Sequence, residues 1–350
     1  MTQVRESSDH MVLAHRFFNA VLLSLFAVFL LPQSLFAAES TIIALFTGVT
    51  SVEIQKALDA LPDSGGEVLL PPGTFEVYQP IVLDRDHEAL RGSGATTVLH
   101  LAGNANCPVI IMGQPVDNPE RTIHDLRLSD LFIDGNREHQ QRELWKLSGE
   151  DSQIHNNGIT IQDVVGSTVE RVTCTRCRSG GLVTTLGIRD LKVEDLSAFD
   201  NQFDGLACYQ TTESLFTKLN LHDNPGAGIS LDLSFDNNVI SNATLVANDL
   251  GIFMRASSNN RFYNVSIRNS HHYGVFMAHT EMLTVHGWKP APGTECVHNS
   301  FTDLIANNCG AAAFRVNNTT CTNNIIIGAQ FQNGIQKGLS LVRPGLVIVQ

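Results

Sequence analysis

The sequence predicts an all-β fold, a solenoid of stacked parallel strands, from three regularities. Gly158, Gly181, Gly205, Gly228, Gly251 and Gly274 fall 23 or 24 residues apart, opening the segments GITIQ, GLVTT, GLACY, GISLD, GIFMR and GVFMA. The first and third residues after each glycine are mostly apolar (Ile159/Ile161, Leu206/Cys208, Ile229/Leu231, Ile252/Met254, Val275/Met277). That period of two belongs to strands with one face in a core. Asparagine and serine recur in step. One column is expected through Asn201 and Asn224 and on to Asn248, Asn269 and Asn307, and a second through Asp190, Ser214, Asn238, Asn260, Asn299 and Asn324. Asparagine tolerates left-handed backbone and bonds neighbouring amides, so such turns can stack as side-chain ladders. With no long helical period, the repeat implies coils stacked about 4.8 Å apart.

At the N-terminus, Phe17 to Leu31 is almost wholly apolar and follows His15 and Arg16. The run is short for a bilayer span, and Ala37, Ala38 and Ser40 supply small residues for cleavage, so residues 1–38 read as a signal peptide. Met11 is an alternative start, and an uncleaved anchor is the alternative to cleavage. Residues 39–350 then form a single domain, periplasmic or secreted, with no membrane contact after signal removal. Val52 to Leu61 carries apolar residues at Ile54, Ala57, Leu58 and Leu61 and is stopped by Pro62, an amphipathic helix suited to capping the solenoid over 50–62. Coils are expected from about residue 67 to 345.

The 350 residues carry 35 acidic and 23 basic side chains, a net charge of −12, which argues against a nucleic-acid partner. Seven cysteines, an odd number, leave at least one thiol free. Cys174-Thr-Arg-Cys177 has no second pair at zinc spacing and reads as a turn disulfide or two ordinary thiols, and Cys208 falls on an inward position.

In this register the second and fourth residues after each glycine point outward, so Tyr209→Phe and Arg255→Ala should lower the melting temperature little. The fourth-position column runs Gln162, Thr185, Tyr209, Asp232, Arg255, Ala278, and the second-position column Thr160, Val183, Ala207, Ser230, Phe253, Phe276. Tyr209, Asp232 and Arg255 therefore form a contiguous polar strip, flanked by Phe253 and Phe276 as exposed rings suited to stacking on sugars. Two insertions frame it: Asn136 to Ile154, with Arg142, Trp145 and Lys146, and His279 to His298, with His286, Trp288 and Lys289. Long loops on a regular solenoid concentrate binding residues, and a loop tryptophan is a natural carbohydrate platform. A loop that packs itself down with tryptophan is the structural alternative.

The order of amphipathic helix, GGEVLLPPGTF (Gly65 to Phe75), ALRGSGATTVL (Ala89 to Leu99) and LFIDGNR (Leu131 to Arg137) resembles the pectate-lyase-like right-handed parallel β-helix superfamily over roughly residues 40–345. That resemblance implies a right-handed β-helix with a polysaccharide or oligosaccharide as partner. The stretch Asn201-Gln-Phe-Asp-Gly-Leu-Ala-Cys-Tyr209 also looks like the active coil of mannuronan C5-epimerases. By position, Asp232 matches that family's later aspartate. Tyr209 stands where it has histidine and Ala207 where it has its first aspartate, so two of three depart.

The expected activity is uronate β-elimination (a lyase) or C5 epimerisation. Either needs a carboxylate neutraliser, a base for the C5 proton and a proton donor. Arg255 could neutralise, Tyr209 could donate or accept the proton, and Asp232 could orient either or bind a cation such as Ca2+; no other cofactor is expected. His271, His272 and His279 are alternative bases, and Asp204, His279, Trp145, Trp288, Lys289, Phe253 and Phe276 are candidate substrate contacts. A glycoside hydrolase pairing Asp232 with Asp204, Asp236 or Glu213, and a non-catalytic glycan-binding or structural β-helix, are the alternatives.

Overall fold

The computed structural model describes residues 41–144, 154–279, 295–332 and 338–350. The expected signal segment lies outside them, as do Trp145, Lys146, His286, Trp288 and Lys289. No helix among the described residues is long and apolar enough to cross a membrane.

The described strands form parallel sheets of 15, 10 and 4 strands. One coil passes through all three. Leu206–Tyr209 lies in the 10-stranded sheet, Thr211–Thr212 in the 4-stranded sheet and Leu215–His222 in the 15-stranded sheet, before Ala227–Asp232 begins the next coil. The chain is a parallel β-helix. Its inward column forms as the glycine spacing predicts: Ile159, Leu182, Leu206, Ile229, Ile252 and Val275 pair in sequence and are each 0% exposed. Cys208 is likewise buried, and all seven cysteines, Cys174 and Cys177 included, stand as buried free thiols.

The helix runs Ser51–Asp59. A reciprocal cap starts it: Val52 N–H donates to Thr50 Oγ1 at 3.3 Å and Thr50 N–H to Glu53 Oε2 at 2.9 Å. Ile54, Ala57, Leu58 and Leu61 are buried. Gln55 uses both ends of its amide on the outermost strand of the 10-stranded sheet, accepting from Val82 N–H at 2.8 Å and donating to Val82 carbonyl at 3.1 Å. The side chain thus satisfies an edge that would otherwise stay open.

The eight-residue strands of the largest sheet hold a feature that period-two reading misses. Their fourth residue has left-handed backbone: Asp130, Arg171, Asp195, Lys218, Asn242, Asn264 and Asp303, with φ between 51° and 59°. Each bends its strand and resets the alternation, so that Phe216, Leu219 and Leu221 are buried rather than every second residue. Asp and Asn hold most of these positions because their short polar chains tolerate this region.

Two buried ladders join the coils. Asn201 Nδ2 donates to Asn224 Oδ1 at 3.1 Å, and Asn224 Nδ2 to Asn248 Oδ1 at 2.9 Å. The second runs Ser214, Asn238, Asn260, Asn299, Asn324, each residue's backbone N–H donating to the next Oδ1 at 2.9–3.0 Å. Three expected members lie elsewhere. Asn269 and Asp190 are exposed left-handed turn residues one position before the ladder sites, and Asn307 ends a strand.

Replacing Ile229 with Asp would bury an unpaired charge in mid-solenoid and is expected to cost several kcal/mol, about 3 or more. Lys218→Ala, at an exposed ion pair with Glu194, should stay within about 0.5 kcal/mol of the parent. Thermal melting of the two variants checks the contrast, and equal melting temperatures would remove Ile229 from the core.

Candidate active site

The strip forms in register. Tyr209 pairs with Asp232 across neighbouring strands, and Arg255 on the next coil makes an Nη2 to Oδ2 ion pair with Asp232. Arg255 also lies over the Phe253 ring at 4.9 Å, and Phe253, Phe276 and Tyr273 continue as a stack with centroid separations of 5.7 and 5.0 Å.

The outward face is more enclosed than its alternation implies. Asp232 is only 2% exposed, Tyr209 and Arg255 are half-buried, and Thr160, Gln162, Thr185, Val183, Ala207 and Ser230 are buried. Phe253 and Phe276, expected as exposed rings, are half-buried because they stack on each other and on their neighbours. Gln162 lies under the segment after Met112, its amide donating to the Gln114 and Val116 carbonyls. A strand pattern fixes which face a residue takes. It cannot report what folds over that face.

Along this face lies a cleft of about 240 Å³ lined by Glu143, His155, Asn157, Phe203, Asp204 and Tyr209, with Val183 and Ala207 at its base. The small Ala207 occupies the column position filled two coils later by Phe253, so the cleft opens where the column lacks bulk. Asp204 sits just before the glycine that opens its strand, with Oδ1 accepting from Ala227 N–H at 2.6 Å. Gly226 permits that approach, since a Cβ there would stand 2.5 Å from Asp204 Oδ1. Across the cleft, an antiparallel bridge between Leu144 and His155 brings Glu143 Oε1 within 2.8 Å of His155 Nδ1. Glu143, His155 and Phe203 were not singled out by sequence. Glu143 belongs to the insertion and His155 immediately follows it, both without repeat register, and Phe203, 43% exposed, falls in a turn.

The electrostatics separate the groups. Protein surrounds most of Asp204, and that desolvation raises its pKa to about 6 against the opposing Ala227 N–H and the Arg255 charge. The Tyr209 phenol is pushed far above its ordinary value by burial and by the nearby charges of Asp204 and Asp232. Tyr209 is therefore held protonated and suits a donor, not a base. Arg255 is ion-paired with Asp232, so it would meet a substrate carboxylate as one member of that pair. The same pair engages the carboxylate that a Ca2+ ion would need, and among the described residues no three His, Cys, Asp or Glu side chains are arranged to hold a metal.

The other candidates lie apart. Asp236 bridges to Thr212, in the third sheet, and Glu213 is exposed 3.9 Å from Arg189, so of the three proposed carboxylate partners Asp204 alone shares the surroundings of Tyr209. His271 and His272 occupy an exposed turn, with His272 Nδ1 2.6 Å from Asp249. His279 is half-buried just after the strand Tyr273–Met277, one coil beyond Arg255. Arg142 gives its carbonyl to Asn156 Nδ2 and so helps hold the insertion beside the cleft.

Two outcomes follow. The folded Asp204 holds its proton to a higher pH than the ordinary 3.8, so its stabilising contribution is complete below about pH 4 and is lost as pH rises through about 6. Asp204→Asn should therefore raise stability by on the order of 2 kcal/mol at pH 7 and leave it nearly unchanged at pH 4, as read by denaturant melts at both values. Arg255→Ala should destabilise by about 3–5 kcal/mol, because it strands a buried Asp232 charge; the double variant with Asp232→Asn should recover much of that loss.

A family model described as a right-handed beta helix region matches residues 123–287. No curated protein matches the chain. Among solved structures, the A-module of the mannuronan C-5 epimerase AlgE6 from Azotobacter vinelandii is 17% identical with a TM-score of 0.57, covering 88% of this chain and 96% of its own. An alginate lyase from Paenibacillus sp. is 11% identical with a TM-score of 0.58, covering 88% and 99%. ORF18 of Geobacillus virus E2 is 13% identical with a TM-score of 0.64, covering all of this chain and 66% of its own. Together with the stacked parallel coils, these likenesses make the chain a right-handed parallel β-helix.

Proposed function

We propose that the protein is an exported enzyme that binds an acidic polysaccharide along this cleft and performs β-elimination or C5 epimerisation at a uronate. The observation that carries the reading is the pairing of two groups in one cleft: Asp204, with a pKa of about 6, and Tyr209, held protonated. Above pH 6 Asp204 is an ionised base with enough basicity for general-base work, and Tyr209 is a donor beside it. The epimerase module and the alginate lyase, whose own lengths are almost wholly spanned, support this class of substrate.

In elimination, Asp204 takes the C5 proton, the C5–H electron pair becomes the C4=C5 double bond, and the C4–O bond breaks. Tyr209 passes its proton to the departing oxygen and is reprotonated from solvent. In epimerisation, the C4–O bond survives and a proton returns to C5 from the opposite face. His155, oriented by Glu143, and Arg255, paired with Asp232, are the two cationic side chains that could neutralise the substrate carboxylate. Phe203 at the cleft lip and the Phe253–Phe276 stack beyond Arg255 offer apolar faces to neighbouring sugars.

A hydrolase is the second reading, favoured by one observation: Asp204 is a raised carboxyl, while Asp232, the other carboxylate beside Tyr209, is held by Arg255. The two differ in pH dependence. A base at Asp204 makes activity rise through about pH 6, whereas an acid there makes it fall. Uronate polysaccharides are to be tested for unsaturated ends, new reducing ends and solvent deuterium at C5. Tyr209→Phe should cut turnover about 100-fold with little change in KM, and Asp204→Asn should abolish it. New reducing ends without unsaturation, with activity declining above pH 6, would establish hydrolysis. Binding without turnover, unaffected by either variant, would establish a lectin-like role.

A further inference from the structure

Cys296 and Cys321 occupy equivalent positions on consecutive coils. Three residues beyond each, Asn299 and Asn324 are ladder partners, with Asn299 Nδ2 donating to Asn324 Oδ1 at 3.0 Å, and Asn324 Nδ2 donating to the Cys296 carbonyl at 2.9 Å. Stacked positions of neighbouring coils lie about 4.8 Å apart, inside the roughly 4.4–6.8 Å Cα separation that a disulfide spans. The sulfurs converge too. Both donate to the Ala278 carbonyl oxygen at 3.6 Å, so the two thiols converge on one acceptor. Cys177, by contrast, turns its sulfur to the carbonyl of Thr175 at 3.6 Å, within its own turn.

We propose that Cys296 and Cys321 form a coil-to-coil disulfide when the chain meets a disulfide oxidant such as oxidised glutathione. The Cys321 thiolate attacks one glutathione sulfur and releases the other as a thiolate. Cys296 then loses its proton and attacks the Cys321 sulfur of the mixed disulfide, releasing the second glutathione. Two thiols give up two protons and two electrons, and the oxidant accepts both. The neighbouring Cys296 thiol favours this order, because its proximity lowers the Cys321 pKa below the ordinary thiol value while burial raises that of Cys296. The bond would tie the coil that begins with Tyr273–Met277 to the coil that begins with Ala312–Val316, near the C-terminal end where Ile348 and Val349 are 52% and 57% exposed.

The test uses the full chain incubated with oxidised glutathione in urea below the unfolding transition, where local opening admits the reagent to buried thiols. Remaining thiols are alkylated after denaturation, and a non-reducing digest is read by mass spectrometry. The expected result is one linked peptide pair, Cys296 with Cys321, and alkylation of the other five of the seven cysteines. Reduction should then lower the melting temperature by about 5 °C in the parent and not in Cys296→Ala/Cys321→Ala, whose circular dichroism reports whether the fold is kept. Alkylation of all seven cysteines, or a linkage between Cys174 and Cys177 in place of this one, overturns the proposal.

Discussion

Parallel coil-on-coil stacking in strict register is the constraint on which everything else in this molecule depends. Once Leu206, Ile229 and Ile252 are neighbours in one column, every other position of the coil is a column too. A polar residue in an inward column is then repeated or compensated in the next coil. The buried asparagines show the compensation directly: each amide spends its oxygen on one neighbour's backbone N–H and its nitrogen on a carbonyl or on the next amide, so no ladder amide is stranded. A lone buried asparagine would be costly, but a stack of them closes its own hydrogen bonds.

Stacking also explains how a regular scaffold acquires a site. The coils are nearly equivalent in backbone, so a cleft requires a column to change residue size or an insertion to rise beside it. Both happen around Tyr209. Ala207 leaves space where Phe253 and Phe276 later fill it, and the segment carrying Glu143 and His155 forms the opposite wall. Gly226 permits the Asp204 carboxylate to sit against the next coil, where the Ala227 amide fixes one oxygen. Desolvation follows from that enclosure, and with it the raised pKa of Asp204 and the protonated state of Tyr209. Asp232, in a more buried place, is matched by Arg255 at the same position of the next coil. Register thus sets chemistry as well as packing.

The sequence by itself determined the parallel solenoid, the inward column, the second asparagine ladder from Ser214 onward, the amphipathic helix near the start of the described fold and the adjacency of Tyr209, Asp232 and Arg255. Each depends on periodicity, and in a solenoid periodicity translates directly into neighbourhood. It did not reveal the left-handed fourth residue of the long strands, because Arg171 and Lys218 hold that position as well as Asp and Asn, so composition gives no consistent mark. It put Asn269 and Asp190 one residue off their ladders for the same reason, since a turn asparagine and a ladder asparagine look alike without backbone angles. Only the tertiary structure decided what covers the outward face, that Arg255 is ion-paired with Asp232, and that His155, Glu143 and Phe203 share a cleft with Asp204. Those facts depend on insertions and turns outside the repeat, where no period links sequence distance to distance in space.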